Sequence, residues 1–328
     1  MLYVVAVRLL PETGAWAPFV PEAHPVSHLI AHIQRLAVLA LAGALGPMTA
    51  QAAPKTVDDY MAQPRVVADH RIAYGTDPAQ VVELFLPTGR GPHPVVILIH
   101  GGCYLARYEG LPQTSGIAGD LARRGYAVWN VEYRKLGETG AGYPGTFLDV
   151  AAAVDRIRQD AARFGLDTHR VLALGHSAGG HLALWAAARH RIPTTSPLWR
   201  SDPLRIRSVV SLGGIGDLEG QGGIFAGACG PEPIPRMIGL ADREAAYADT
   251  SPAALLPSGA RVTMISGDLD HVMPPPTGRA YVTRFVAAGD VGQAVAIPGA
   301  SHFDVVIPTT PAWKVVAATV AAEFARMR

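Results

Sequence analysis

Ser177 stands inside Ala173-Leu174-Gly175-His176-Ser177-Ala178-Gly179-Gly180, a Gly-x-Ser-x-Gly pattern. A serine hydroxyl is a weak nucleophile at its own pKa. To attack a carbonyl it needs a base beside it, donors for the developing oxyanion and a backbone that holds it clear of its neighbours. A sharp strand-to-helix turn supplies the last of these. Gly175 and Gly179 remove side chains where strand and helix crowd, and a helix starting after Ser177 aims N–H groups at negative charge. The same five residues also arise by chance in glycine-rich turns, so the flanks decide. Arg170-Val171-Leu172-Ala173-Leu174 reads as a short buried strand, and His181-Leu182-Ala183-Leu184-Trp185-Ala186-Ala187-Ala188 is rich in strong helix formers.

Such an elbow calls for an acid and then a histidine, in that order, each just past a strand. Ser266-Gly267-Asp268-Leu269-Asp270-His271 and Pro298-Gly299-Ala300-Ser301-His302-Phe303 occupy those places. His302 is the expected base, taking the Ser177 proton and returning it to the leaving group. The carboxylate would fix its tautomer and stabilise its protonated form. Asp270 is the favoured acid, because Asp268 directly follows Gly267 and suits a role in organising the turn. Asp217 is a weaker third candidate, and His271 reads as a loop residue. For the oxyanion, Ala178 supplies one backbone N–H. The loop Ile99-His100-Gly101-Gly102-Cys103-Tyr104 supplies the others, at Gly102 and Cys103.

The surrounding pattern must position these loops. Segments 65–74 and 80–87 read as an edge hairpin, and Pro94–Ile99 as a central strand covered on both faces. A helical segment around 116–124 leads to a strand at 127–134. Phe147, Val150, Val154, Ile157, Ala161 and Phe164, spaced three and four apart, make one apolar helix stripe. Further strands are expected at 206–212, 261–266 and 293–297, with a C-terminal helix marked by Trp313, Val316, Val320, Phe324 and Met327. This alternation predicts an α/β fold: a mostly parallel sheet with helices on both faces and its chemistry at the strands' carboxyl ends. The Gly- and Pro-rich stretch 213–257 is too long for a bare connection and is expected to be a lid or pocket-wall insertion.

Composition agrees with a packed globular enzyme. Hydrophobic residues make up 49% and charged residues 17% of the 328, and the net charge of +1 leaves no electrostatic footprint for nucleic acid. At the N-terminus, Arg35 precedes the apolar run Leu36–Leu45, which is followed by Gly46-Pro47 and an A-x-A site at Ala50-Gln51-Ala52. That order predicts a signal peptide over 1–52 and one mature domain over 53–328, exported to the periplasm or beyond. The run falls short of the about 20 apolar residues a membrane span needs, so no stable span is expected after cleavage. The stretch before Arg35 is long for an n-region, and translation from Val26 would give an ordinary one. In an oxidising compartment Cys103 and Cys229 could form a disulfide; two free, buried thiols are the alternative. The twelve histidines show no metal-site spacing.

From about residue 65 to the end, the chain resembles the α/β-hydrolase superfamily. The His-Gly-Gly loop at His100–Tyr104 and Gly175-His176-Ser177-Ala178-Gly179-Gly180-His181-Leu182 are similar to the esterase/lipase and kynurenine formamidase branch, which borders the prolyl-oligopeptidase-like hydrolases. The resemblance implies an acyl-enzyme mechanism without cofactor or metal, carried by Ser177, Asp270 and His302 with Gly102, Cys103 and Ala178 as donors. Serine rather than aspartate at the elbow argues against dehalogenase or epoxide chemistry. The expectation is therefore an exported serine hydrolase acting on a small-molecule ester with a small or medium acyl group. An arylformamidase or amidase, a peptidase and a catalytically silent binding module are the alternatives.

Overall fold

The computed structural model describes residues 53–327, so the predicted signal segment and its cleavage site lie outside the described residues. One sheet of eight strands runs through them: β1 (His70–Ala73), β2 (Val81–Phe85), β3 (His93–Ile99), β4 (Ala127–Val131), β5 (Leu166–His176), β6 (Ser208–Leu212), β7 (Arg261–Gly267) and β8 (Val291–Ile297). Their spatial order is β1-β2-β4-β3-β5-β6-β7-β8. β1 and β2 pair antiparallel, as do β2 and β4, and every other pairing is parallel. The expected edge hairpin is present but shorter than its apolar stretches, with Ala73 opposite Val81 and Tyr74 N–H donating to Gln80 O across the turn at 3.0 Å.

The central strands bury both faces, which is why they read as unbroken apolar runs. On one face Ile97 and Ile99 pack with Phe147 and Val150 of α3 (Gly145–Phe164) and with Leu182 and Trp185 of α4 (Ala178–Ala188). On the other, Val96 and Leu98 pack with Ile117 and Leu121 of α2 (Ser115–Arg123) and with Trp313 and Val320 of α8 (Pro311–Ala325). The predicted α3 stripe is the buried one, and the helix stops at Gly165, whose φ of 62° gives the left-handed cap that favours glycine.

Four helices were not foreseen. α1 (Val57–Met61) is too short to show a period, and its start is fixed by a Thr56–Asp59 capping box. Within 213–257 lie α5 (Leu218–Cys229) and α6 (Pro233–Ile238). α5 contains four glycines, poor helix formers, yet it buries Leu218, Gln221, Phe225 and Cys229 on one face. α7 (Pro275–Ala287) opens on prolines, which break a helix interior, but a proline in the first helical turn loses no intrahelical bond.

Candidate active site

The parallel strands β3 and β5 to β8 end along one edge of the sheet, and the loops leaving that edge carry the residues singled out above. Ser177 sits between the last residue of β5 and the first of α4, with φ 53° and ψ −121°. Its N–H donates to Leu212 O at the end of β6 (2.8 Å). A Cβ on Gly175 would strike the Gly179 carbonyl, and one on Gly179 would strike the carbonyls of Ile99 and His100. Both positions therefore require glycine for strand and helix to approach. Among the described residues, the non-glycine positions with positive φ are Cys103 (54°), Tyr104 (62°) and Ser177. Such conformations cost on the order of 1–3 kcal/mol each and persist where the surroundings over-determine them. All three lie at this edge.

Past β7, Asp270 is buried, and its two oxygens have separate tasks. Oδ1 accepts the N–H groups of Val272 and Met273 (2.8 Å each), while Oδ2 meets His302 Nδ1 at 2.8 Å. His302 follows β8 and is itself 5% exposed. Gly213, at the end of β6, makes room for this pair: with φ 51°, a Cβ there would lie 2.7 Å from His302 Nδ1 and 2.9 Å from Asp270 Oδ2. The other carboxylates are engaged elsewhere. Asp268 is exposed and accepts Gly299 N–H (2.7 Å), joining the two loops. Asp217 caps α5 through Gly220 N–H and pairs with Arg284. His271 is exposed.

His176, the variable residue before Ser177, lies under the His302 ring at 4.5 Å between centroids, and its Nε2–H donates to His302 O (3.1 Å). Burial, reinforced by the charge of His302 when protonated, pushes its pKa well below the ordinary histidine value, so it is a neutral support.

The loop bearing Gly102 and Cys103 is braced from below. His100 Nε2 meets Glu132 Oε1 at 2.8 Å, Lys135 donates to the same oxygen (2.9 Å), and Glu132 Oε2 accepts Leu111 N–H (3.0 Å). Burial opposes ionisation of Glu132, but His100 and Lys135 outweigh it and hold the carboxyl well below the usual carboxylate range. The Tyr133 hydroxyl donates to His100 O (2.9 Å). Further along, the Tyr104 hydroxyl donates to His181 Nδ1 (3.0 Å), whose Nε2–H donates to Thr250 O (2.9 Å). Among the described residues, no intramolecular acceptor takes the N–H of Gly102 or Cys103, which leaves both free for an incoming oxygen. The cysteines left open by the sequence are joined: Cys103 and Cys229 form a disulfide with Cα atoms 5.6 Å apart.

Gly102, Cys103, Ser177 and His302 line one cavity of about 240 Å³. Among the described residues no hydrogen bond joins the Ser177 hydroxyl to His302; in unliganded sites this contact often tightens only with substrate. The rest of the wall is mostly apolar and includes residues that sequence reasoning missed. Val57, Tyr60 and Met61 of α1 reach in from the N-terminal side, and Ala228 and Cys229 from α5. Tyr60 contacts the rings of His176 and Phe303, at 5.8 and 5.9 Å between centroids. The segment is tied to the histidine loop: Lys55 N–H donates to Asp304 Oδ2 (2.9 Å) and Ser301 Oγ–H to Lys55 O (2.6 Å). A larger, shallow groove of about 1040 Å³ lies at the opposite end of β3, between His93 and Phe164, far from any of these groups.

The strand order, the elbow and the edge loops define an α/β-hydrolase. Residues 82–284 match the family model BD-FAE, and the chain belongs to the BD-FAE family, an esterase/lipase family of that fold. Among curated proteins it is similar to "Esterase LipC" of Mycobacterium tuberculosis, 28% identical over 251 residues, which cover 73% of this chain and 60% of that protein. It is also similar to "Probable isoprenylcysteine alpha-carbonyl methylesterase ICMEL2" of Arabidopsis thaliana, 24% identical over 253 residues, or 71% of this chain and 56% of that one. The chain thus spans less than two thirds of the length of these relatives. Among solved structures, esterase B from Lactobacillus rhamnosis inhibited by a tributyrin phosphonate superposes with a TM-score of 0.70 at 20% identity, over 90% of this chain and 94% of that one, and shares the fold.

Proposed function

We propose that this protein is an exported carboxylesterase that cleaves small or medium acyl esters through an acyl-enzyme on Ser177. The observation that carries the reading is the buried Asp270–His302 pair, bonded at 2.8 Å and opening on the same cavity as a serine held at positive φ on a strand-to-helix elbow. The esterase names of the curated relatives support the ester as the substrate bond.

In this mechanism the substrate carbonyl oxygen lies among the N–H groups of Gly102, Cys103 and Ala178. Ser177 Oγ attacks the carbonyl carbon as its proton passes to His302 Nε2. Asp270 accepts Nδ1–H, which keeps Nε2 the basic nitrogen and stabilises the imidazolium. Collapse of the tetrahedral adduct expels the alcohol, which takes the proton from Nε2. Water then gives a proton to Nε2 and attacks the acyl carbon. Ser177 leaves with that proton, and a carboxylic acid is released.

Export is supported by Arg35, the apolar run and the A-x-A site, in that order, and by a disulfide, which persists in oxidising compartments. We read 53–328 as one mature domain in which 213–257 is the pocket-wall insertion. N-terminal sequencing of the exported protein should begin at Ala53.

A fluorophosphonate probe tests the central claim: it should label the wild type and leave Ser177→Ala unlabelled. Equal labelling of the two, or none of either, defeats the esterase reading, and the latter favours a silent binding module. A panel of p-nitrophenyl esters of rising acyl length, run beside N-formyl arylamines, separates esterase from formamidase.

A further inference from the structure

The disulfide occupies a telling position. Cys103 is one of two consecutive non-glycine residues with left-handed backbone, and it directly follows Gly102, also at positive φ (100°). Three such residues in a row form a conformation that an unconstrained loop would leave, so the contacts holding it decide where the N–H of Cys103, a residue lining the cavity, is directed. On the Tyr104 side the braces are the hydroxyl bond to His181, the bond from Leu136 N–H to Tyr104 O (2.7 Å), the turn bond from Leu105 N–H to Gly102 O (2.9 Å) and the packing of the ring on Phe225. At Cys103 itself the brace is the bond to Cys229, 126 residues away.

Cys229 is the last residue of α5, a helix that depends on tertiary contacts because four of its twelve residues are glycine. At Gly223 and Gly227 a Cβ would meet nothing within 4 Å, because that face of α5 is turned to solvent; its buried face carries Cys229 and Phe225, whose ring lies 5.7 Å from that of Tyr104 between centroids. The disulfide therefore joins the strained loop, at Cys103, to the last residue of α5, one turn beyond the contact between Phe225 and Tyr104, and supplies the covalent tie between loop and helix. Both sulfur-bearing residues line the cavity that holds Ser177 and His302, so a small thiol that can enter the cavity can reach them.

We propose that the Cys103–Cys229 disulfide is a positioning element of the oxyanion hole, so that the enzyme turns over efficiently only while this bond is oxidised. The inference rests on the hydrolase reading above. The switching step is thiol–disulfide exchange with a dithiol. One thiolate of the dithiol attacks a sulfur of the bridge, and the second closes on the mixed disulfide. The dithiol leaves as a cyclic disulfide, while Cys103 and Cys229 take up its two electrons and two protons as thiols. Cys103 and Cys229 act through the backbone N–H and the wall and touch no reacting atom with their side chains, so their effect belongs on kcat.

The test is hydrolysis of p-nitrophenyl acetate and p-nitrophenyl butyrate by the mature protein before and after dithiothreitol, with free thiols counted and folding followed by near-ultraviolet circular dichroism. Once two thiols titrate, kcat should fall about ten- to a hundredfold for both esters, somewhat less than the loss of a whole oxyanion donor, with KM changed less than about threefold. Reoxidation should restore it. Cys229→Ser should match the reduced wild type and be indifferent to dithiothreitol. If that variant does not fold, the reduction and reoxidation of the wild type still decide. Unchanged kcat with two titrated thiols overturns the proposal, as does a change confined to KM or to the acetate/butyrate ratio, which marks a wall contact only. Absence of turnover and of Ser177-dependent labelling in the oxidised protein overturns the hydrolase reading and this inference together.

Discussion

The two sides of the cavity at Ser177 are built by different means. Ser177, Asp270 and His302 hang from the ends of β5, β7 and β8, within the parallel run β5-β6-β7-β8, where ladder hydrogen bonds fix their spacing and each loop is short. The facing wall comes from elsewhere: a five-residue helix near residue 57, the strained loop 102–104 and a glycine-rich helix in an insertion. The sheet side is held by many backbone bonds, so removing one side chain there leaves the frame standing and reports on chemistry. The wall is held by discrete ties, among them Lys55 to Asp304 and Ser301, Tyr104 to His181 and Leu136, Asp217 at the start of α5 to Arg284, and Cys103 to Cys229. Cutting one of those changes shape.

The largest test of this contrast is on the sheet side. Ser177→Ala or His302→Ala should lower kcat by about 10⁴-fold or more with an unchanged circular dichroism spectrum. Loss of folded signal in either variant would show that the edge depends on these side chains for its structure. Next comes the choice of acid. Asp270→Asn should lower kcat by about 10³- to 10⁴-fold, because the amide cannot hold the His302 tautomer as the carboxylate does. Asp268→Asn removes part of one bond to Gly299 and should cost less than about tenfold. The reverse ranking would assign the role to Asp268.

On the wall side the effect is smaller and of another kind. Tyr60 is 2% exposed, contacts the rings of His176 and Phe303, and lines the cavity that holds Ser177 and His302. Tyr60→Ala should raise the ratio of kcat/KM for bulky over small alcohol leaving groups by about tenfold, while kcat for the smallest ester changes only a few-fold. Equal losses across the series would mean that Tyr60 supports the chemistry instead of shaping the cavity.

The same contrast explains what the sequence made legible. Strands buried on both faces and a helix with a clean stripe follow from hydrophobic pattern alone; Gly-x-Ser-x-Gly and the Asp268–Asp270 turn stand just past such strands, and His302 just past the half-exposed edge strand β8. The wall was not legible for physical reasons. Five residues cannot show a 3.6-residue period, so Tyr60 carried no signal. α5 contradicts helix propensity and forms through burial of Leu218, Phe225 and Cys229. Glu132 and Lys135, which brace the loop bearing Gly102 and Cys103, sit just past β4, Glu132 within the stretch 127–134 that read as strand and Lys135 just beyond it. The one available signal was the charged pair itself, three residues apart beside an otherwise apolar run. The cysteine pairing depends on a separation in space that sequence distance does not encode.

His181 joins the two sides, since it lies on α4, the helix that follows Ser177, accepts from Tyr104 of the wall loop and donates to Thr250 of the insertion. Burial lowers its pKa from 6.5 to about 4. Between those values the unfolded chain binds a proton that the folded protein refuses, so stability falls as pH drops through that window and is restored above it. The buried His176 shifts in the same direction, so the wild-type slope alone does not isolate His181. Comparison with His181→Gln does. The variant should be less stable near neutral pH in urea unfolding, and the gap should narrow by on the order of 2 kcal/mol between pH 7.5 and 4.5, because only the wild type loses stability through this residue. A gap that stays constant with pH would mean that the joint acts through its hydrogen bonds alone, and that acid weakens the link between sheet and wall elsewhere.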